Sequence, residues 1–165
     1  MRVGSEPAGR HWTAESEAVG EAELGGAPSG APRLSRPWQP RLADVATVGI
    51  GGVLGANGRY QVGEWVGERW GTAFPWGTLL INVSGSLALG FFLASTTGRL
   101  RGGRTTRLFV ATGFLGGYTT FSTFGYEAVR LLQDGDVVRA VLYVVASLIV
   151  GMVAVVVGMA AARAD

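Results

Sequence analysis

Gly113 to Phe124 reads GFLGGYTTFSTF, and it lies inside a stretch, Leu108 to Tyr126, that carries no charge and is long enough to cross a bilayer. Its composition is wrong for a plain membrane anchor. Gly116-Gly117 makes a poor helix interior. Thr119, Thr120, Ser122 and Thr123 place four hydroxyls within five residues. Irregular backbone at membrane depth persists only where it is buried in protein or lines a watery cavity. The segment therefore predicts a membrane protein with a polar pathway or an ion site near its middle. The expected break lies at Gly116-Gly117. A break frees carbonyls that suit small cations such as Na⁺, and it opens a helix N-terminus that favours anions.

Outward from this segment, the chain has three further apolar runs. A hydrocarbon core of about 30 Å needs roughly 20 residues per helix. The four runs predict helices over about 42–62, 77–97, 108–132 and 137–162. The loops between them are short, so sequence neighbours are antiparallel neighbours. The fold class is an all-α membrane protein of four helices, the third broken near its middle. Small residues four apart recur, as in Gly51/Gly55 and Gly113/Gly117. Such pairs allow close helix packing. Trp65, Trp70 and Trp76 gather near one interface, as aromatic belts do.

Composition agrees. The 165 residues are 48% apolar and include 27 glycines. The 14 basic residues are all Arg and the net charge is only +2, which suggests no nucleic-acid partner. Cysteine is absent, which excludes a disulfide framework and thiolate zinc. Residues 1–40 hold five prolines and few aliphatic clusters. They read as a disordered polar tail, with 41–165 as the four-helix transmembrane domain. Counting Arg from Arg33 onward gives eight on the side of both termini and four opposite, which favours the termini inside.

Several side chains within the spans carry chemistry. Arg59 is either a snorkelling anchor or a cation facing an anion vestibule. Asn82 is either interhelical glue or a donor to a permeating species. Phe121 and Phe124, three apart, share a helix face and have electropositive ring edges. Thr120 and Thr123 share another face, continued by Glu127. Tyr143 and Ser147, four apart, form a polar pair on an apolar helix. The spans hold no His, Cys or acidic pair, so no enzyme chemistry is expected. No acidic residue falls at mid-span, which weighs against a proton-coupled exporter.

GGVLGANGRY, GTLLINVSGSLALGF and TGFLGGYTTFSTFGYE, in this order and spacing, resemble the Fluc (CrcB) family of fluoride channels over about 42–162. The resemblance implies an antiparallel, dual-topology dimer of four-helix subunits with two fluoride pathways. It implies that Phe121, Phe124 and Asn82 line the pathway. It implies Thr120, Ser122, Thr123, Tyr143 and Ser147 as hydroxyl positions near it, and Arg59 as the first-helix arginine. It assigns the backbone carbonyls of Gly116 and Thr119 to a structural Na⁺ at the dimer interface. The expected function is passive fluoride export across the cell membrane, by a homodimer or by a heterodimer with an oppositely oriented homologous chain. The competing readings are a small dimeric multidrug or cation transporter, and a non-transporting membrane scaffold.

Overall fold

The computed structural model describes residues 41–96 and 103–164. The N-terminal 1–40 segment lies outside the described residues, as does Thr97 at the expected end of the second helix. Among the described residues the chain is helical with no strand. Helix α1 is Leu42–Trp70 and α2 is Trp76–Thr96. The third passage comes in pieces. Arg104–Arg107 is α-helical, Leu108–Leu115 is π-helical and Gly116–Tyr118 is α-helical again. We call this run, 104–118, α3. Helix α4 is Phe121–Gln133 and α5 is Val137–Ala164.

The boundaries differ from expectation in three places. Helix α1 runs two turns past 62, because Gly63, Glu64 and Glu68 contain no breaker strong enough to stop it. It ends only where Gly71 takes φ 75°, a left-handed value open to glycine. The π-helical ladder was not expected. The interruption itself falls at Thr119 and Thr120, both extended (ψ 158° and 124°), while Gly116 and Gly117 remain helical. These two glycines do not break the helix. Gly117 is small because α1 presses on it: a Cβ there would sit 2.7 Å from Gly52 O.

Two close pairings build the bundle. Helices α1 and α3 meet through Gly51, Gly55, Gly113 and Gly117, where added Cβ atoms would strike backbone of the other helix. Helices α2 and α5 meet through Gly90 and Gly158, whose Cβ atoms would strike Val155 O and Leu87 O. Without side chains between them, backbones approach closely and gain dispersion contact. Gly151 has open space instead, so the Ser147/Gly151 pair is not a packing seam within the chain.

Helices α2 and α5 are each long and apolar enough to cross a membrane. Helix α5 exposes Val137, Leu142, Leu148, Val153 and Val157, which together span more than half of its circumference. So wide an apolar surface is unfavourable in water and ordinary against lipid.

Candidate functional site

Thr119 and Thr120 organise the site. At Thr119 the chain leaves the helix, and its amide and Oγ1 both return to Leu115 O at 3.0 Å. The next amide would close a helical turn onto Gly116 O. Instead Thr120 N–H donates to Asn82 Oδ1 at 2.8 Å, and Asn82 Nδ2 donates to Thr120 O at 2.9 Å. One carboxamide thus satisfies both backbone groups at the interruption. Left bare in an apolar interior, each would cost about 1–3 kcal/mol. Arg59 Nη1 donates to Thr119 O at 3.2 Å, so α1 and α2 hold the break from two sides.

Thr120 then starts α4. Its Oγ1 accepts the Thr123 amide at 3.2 Å, an N-cap that replaces a missing helical acceptor. The same hydroxyl donates to Thr123 Oγ1 at 3.0 Å and lies 3.3 Å from Ser122 Oγ. With its oxygen already accepting, Thr123 directs its own proton elsewhere. It lines a cavity of about 790 Å³, and its O–H can serve a ligand there. Arg59, Thr78, Thr120, Glu127 and Phe74 line the same space.

Beyond the break, Phe121 and Phe124 lie 5.6 Å apart, and Phe124 lies 5.2 Å from Tyr143. The two phenylalanines have opposite environments. Phe124 is partly covered, whereas Phe121 is 81% exposed on the surface of the chain. Tyr143 is fully buried. Its hydroxyl donates to Glu127 Oε2 at 2.7 Å, and Thr78 Oγ1 donates to Glu127 Oε1 at 2.9 Å. One turn further along α5, Ser147 Oγ is buried and has no hydrogen-bond partner. Gly116 is exposed.

Hydroxyl and amide donors, two phenyl rings and one arginine gather near the start of α4, whose first N–H groups carry partial positive charge. No group of three or more His, Cys, Asp or Glu that could hold a metal occurs among the described residues.

A family model for CrcB-like protein, Camphor Resistance (CrcB), matches residues 46–159. The chain belongs to the CrcB family. Three of its curated CrcB relatives carry the name "Fluoride-specific ion channel FluC". The protein of Chloroflexus aurantiacus is 42% identical over 122 residues, covering 74% of this chain and 97% of its own. That of Rhizobium meliloti is 45% identical over 120 residues, covering 73% and 96%. That of Acidobacterium capsulatum is 48% identical over 112 residues, covering 68% and 90%. With α2 and α5 apolar on their exteriors, CrcB membership makes this a membrane protein.

Within this CrcB fold, Arg59, Asn82, Thr119, Thr120, Ser122 and Thr123 come together at the break, and Phe124 and Tyr143 adjoin it. Phe121 and Gly116 are exposed on the surface of the chain. Ser147 makes no hydrogen bond to the others. Asn82 uses one amide proton and its oxygen on backbone, which leaves its second Nδ2 proton for another acceptor. The sequence reading gave no role to Thr78 and treated Glu127 only as the end of a threonine face. Glu127 enters the bundle as the acceptor of two hydroxyls from α2 and α5. The available signal was its spacing, four residues after Thr123 on the face already assigned.

Proposed function

We propose that this chain is a fluoride-selective channel giving passive export of fluoride across the cell membrane. The observation that carries the reading is the break at Thr119–Thr120. It gathers hydroxyls and a carboxamide beside Phe121, Phe124 and Tyr143, in a chain 42–48% identical to proteins named as fluoride channels. Fluoride is small and strongly hydrated, so a dry path must substitute directed donors for its water. Neutral donors and ring edges do this without a cation in direct contact that would trap the ion. Arg59 stands in the wide cavity, where it raises local anion concentration.

The working unit in this reading is an antiparallel pair, either two copies or one copy with a homologous chain inserted the other way up. The 81% exposure of Phe121 supports it: a path-lining ring on an outer face needs a second subunit to enclose it. The same pairing fits a Na⁺ site made from the carbonyls of Gly116 and Thr119. Thr120 N–H has turned to Asn82, so Gly116 O is released from its helical donor. Thr119 O keeps a lone pair beside its bond to Arg59. Two neutral oxygens from one chain are few for a hard cation, and a second copy doubles them. Bound there, the ion would supply fixed positive charge between the two breaks.

The test is efflux from liposomes loaded with potassium fluoride, read with a fluoride electrode, using the purified chain alone. Rapid fluoride release with negligible chloride release is expected. No release from well-incorporated protein would sink the homodimeric form of the reading. Silence that persists with a homologous partner chain would sink the channel itself.

A further inference from the structure

Gly90 and Gly158 bring the backbones of α2 and α5 together, and a crevice of about 380 Å³ runs from that crossing toward the C-terminal ends of both helices. Its size lies at the lower end of the roughly 300–1,000 Å³ that ligand clefts span. Leu89, Leu93 and Ala94 line it from α2, and Val155, Met159 and Arg163 line it from α5. Val155, Met159 and Arg163 are spaced four apart, so they form one row along a single face. The row is apolar at first and then ends on a guanidinium in the last turn of α5. Met159 and Arg163 are exposed, so the crevice opens to the outside of the chain. Both helices are long and apolar enough to cross a membrane, and the outside at this depth is hydrocarbon.

The charge at this end of the bundle is one-sided. The Arg104–Asp44 ion pair places the starts of α1 and α3 at one end, and only 97–103 separates α3 from the end of α2. Among the described residues this end holds Arg41, Arg104, Arg107 and Arg163 against Asp44 alone. Toward the opposite end, Glu64, Glu68, Asp134 and Asp136 accompany Arg69, Arg130 and Arg139. Arg104 is taken by Asp44. Arg163 is exposed and pairs with no acidic group among the described residues. We propose that the crevice binds one acyl chain of an anionic phospholipid, whose phosphate is held by Arg163. A membrane supplies both parts at the required depths: hydrocarbon beside Leu93 and Met159, and phosphate at headgroup level beside the last helical turn. An arginine that merely snorkels also meets headgroups, but it meets them across a smooth surface. Here a recess lies beneath the guanidinium, so one molecule makes both contacts. A zwitterionic headgroup carries its own cation, which offsets the attraction that an anionic one feels. The inference does not depend on which ion the protein passes. In an antiparallel pair, the inverted copies would carry one such crevice into each leaflet.

The experiment is native mass spectrometry of the full chain, purified in detergent and supplied with phosphatidylglycerol and phosphatidylcholine of matched acyl chains. The wild type is expected to retain phosphatidylglycerol about fivefold over phosphatidylcholine. Arg163→Gln should bring the two lipids to parity, while Arg163→Lys keeps most of the preference. Ala94→Phe, which fills the crevice, should lose retention of both. A wild type without preference, or a preference unchanged in Arg163→Gln, overturns the proposal. So does lipid retention unchanged in Ala94→Phe. Loss of dimers in Ala94→Phe with lipid still retained would assign the crevice to a second copy, and it overturns the proposal as well. If Ala94→Phe does not fold, Met159→Trp replaces it with the same expectations, because Met159 lines the crevice from an exposed position. Fluoride efflux is not the readout, so failure here is distinct from failure of the channel reading.

Discussion

Asn82 and Thr120, 38 residues apart in sequence, are joined by two hydrogen bonds that together occupy both backbone groups of Thr120. The pairing imitates one rung of a β-ladder, with a side-chain amide in place of a neighbouring strand. It converts a costly interruption of a helix into a fixed joint. It also leaves one Nδ2 proton of Asn82 in a defined direction.

Replacing Asn82 by Asp keeps the acceptor for Thr120 N–H but removes the donor and adds negative charge beside the path. Fluoride flux should fall by about a hundredfold, through repulsion in a weakly screened site. The liposome assay reads this directly, and wild-type flux in the variant would remove Asn82 from the conduction path.

Phe121→Ile should leave the fold of the single chain intact and be severe in function. The ring is 81% exposed within one chain, so its replacement removes little of that chain's own packing. Fluoride flux should nevertheless drop at least about tenfold, since an aliphatic side chain lacks the positive edge of a phenyl ring. A variant with full flux would return Phe121 to the role of an outer packing residue.

Glu127→Gln and Tyr143→Phe should be strongly non-additive. The Tyr143 hydroxyl is 2.7 Å from the Glu127 carboxylate, and hydrogen bonds to charged acceptors contribute about 1.5–3 kcal/mol. A double-mutant cycle, read by unfolding in detergent, should return a coupling of about 0.5–3 kcal/mol. Simple additivity would mean that the two groups do not depend on one another.

Gly55→Ala should fail where Gly49→Ala succeeds. A methyl at 55 would collide with Phe114 O of α3, which is backbone and cannot swing aside, while a methyl at 49 meets nothing within 4 Å. Gly55→Ala should cost about 1–3 kcal/mol or more, and Gly49→Ala should gain about 0.5–1 kcal/mol from helix propensity. Thermal unfolding of the two purified variants distinguishes them, and equal melting temperatures would contradict the α1–α3 contact.

Helices α2 and α5 were legible because uninterrupted apolar composition alone specifies them. The position of the interruption was misread by three residues. Gly116-Gly117 looked like the weak point on local propensity, but the glycines serve close packing against Gly52. Threonine backbone leaves the helix because Asn82 and Arg59 offer it partners 38 and 60 residues away in sequence, and single-segment periodicity does not register such partners. For the same reason Arg59 was undecided between lipid and cavity until its bond to Thr119 O settled the direction of its head. The polar character of Asn82, Thr120 and Thr123 was readable from their residue types, but their meeting through hydrogen bonds was not. The conversion of Glu127 into a shared acceptor for α2 and α5 was not, because it depends on how two distant helices cross.

The wide winding of Leu108–Leu115 has a separate consequence. Gly116 N–H reaches back five residues to Ala111 O, so this stretch holds more chain per turn than an α-helix does. Deleting one residue there would let the ladder tighten to ordinary winding, which absorbs most of the loss, whereas the same deletion in a plain α-helix would turn everything downstream by about 100°. The azimuth at which the threonines meet their partners is therefore set by how many residues precede them as well as by which ones. A single-codon deletion in that stretch should be tolerated better than one in the straight helix α1.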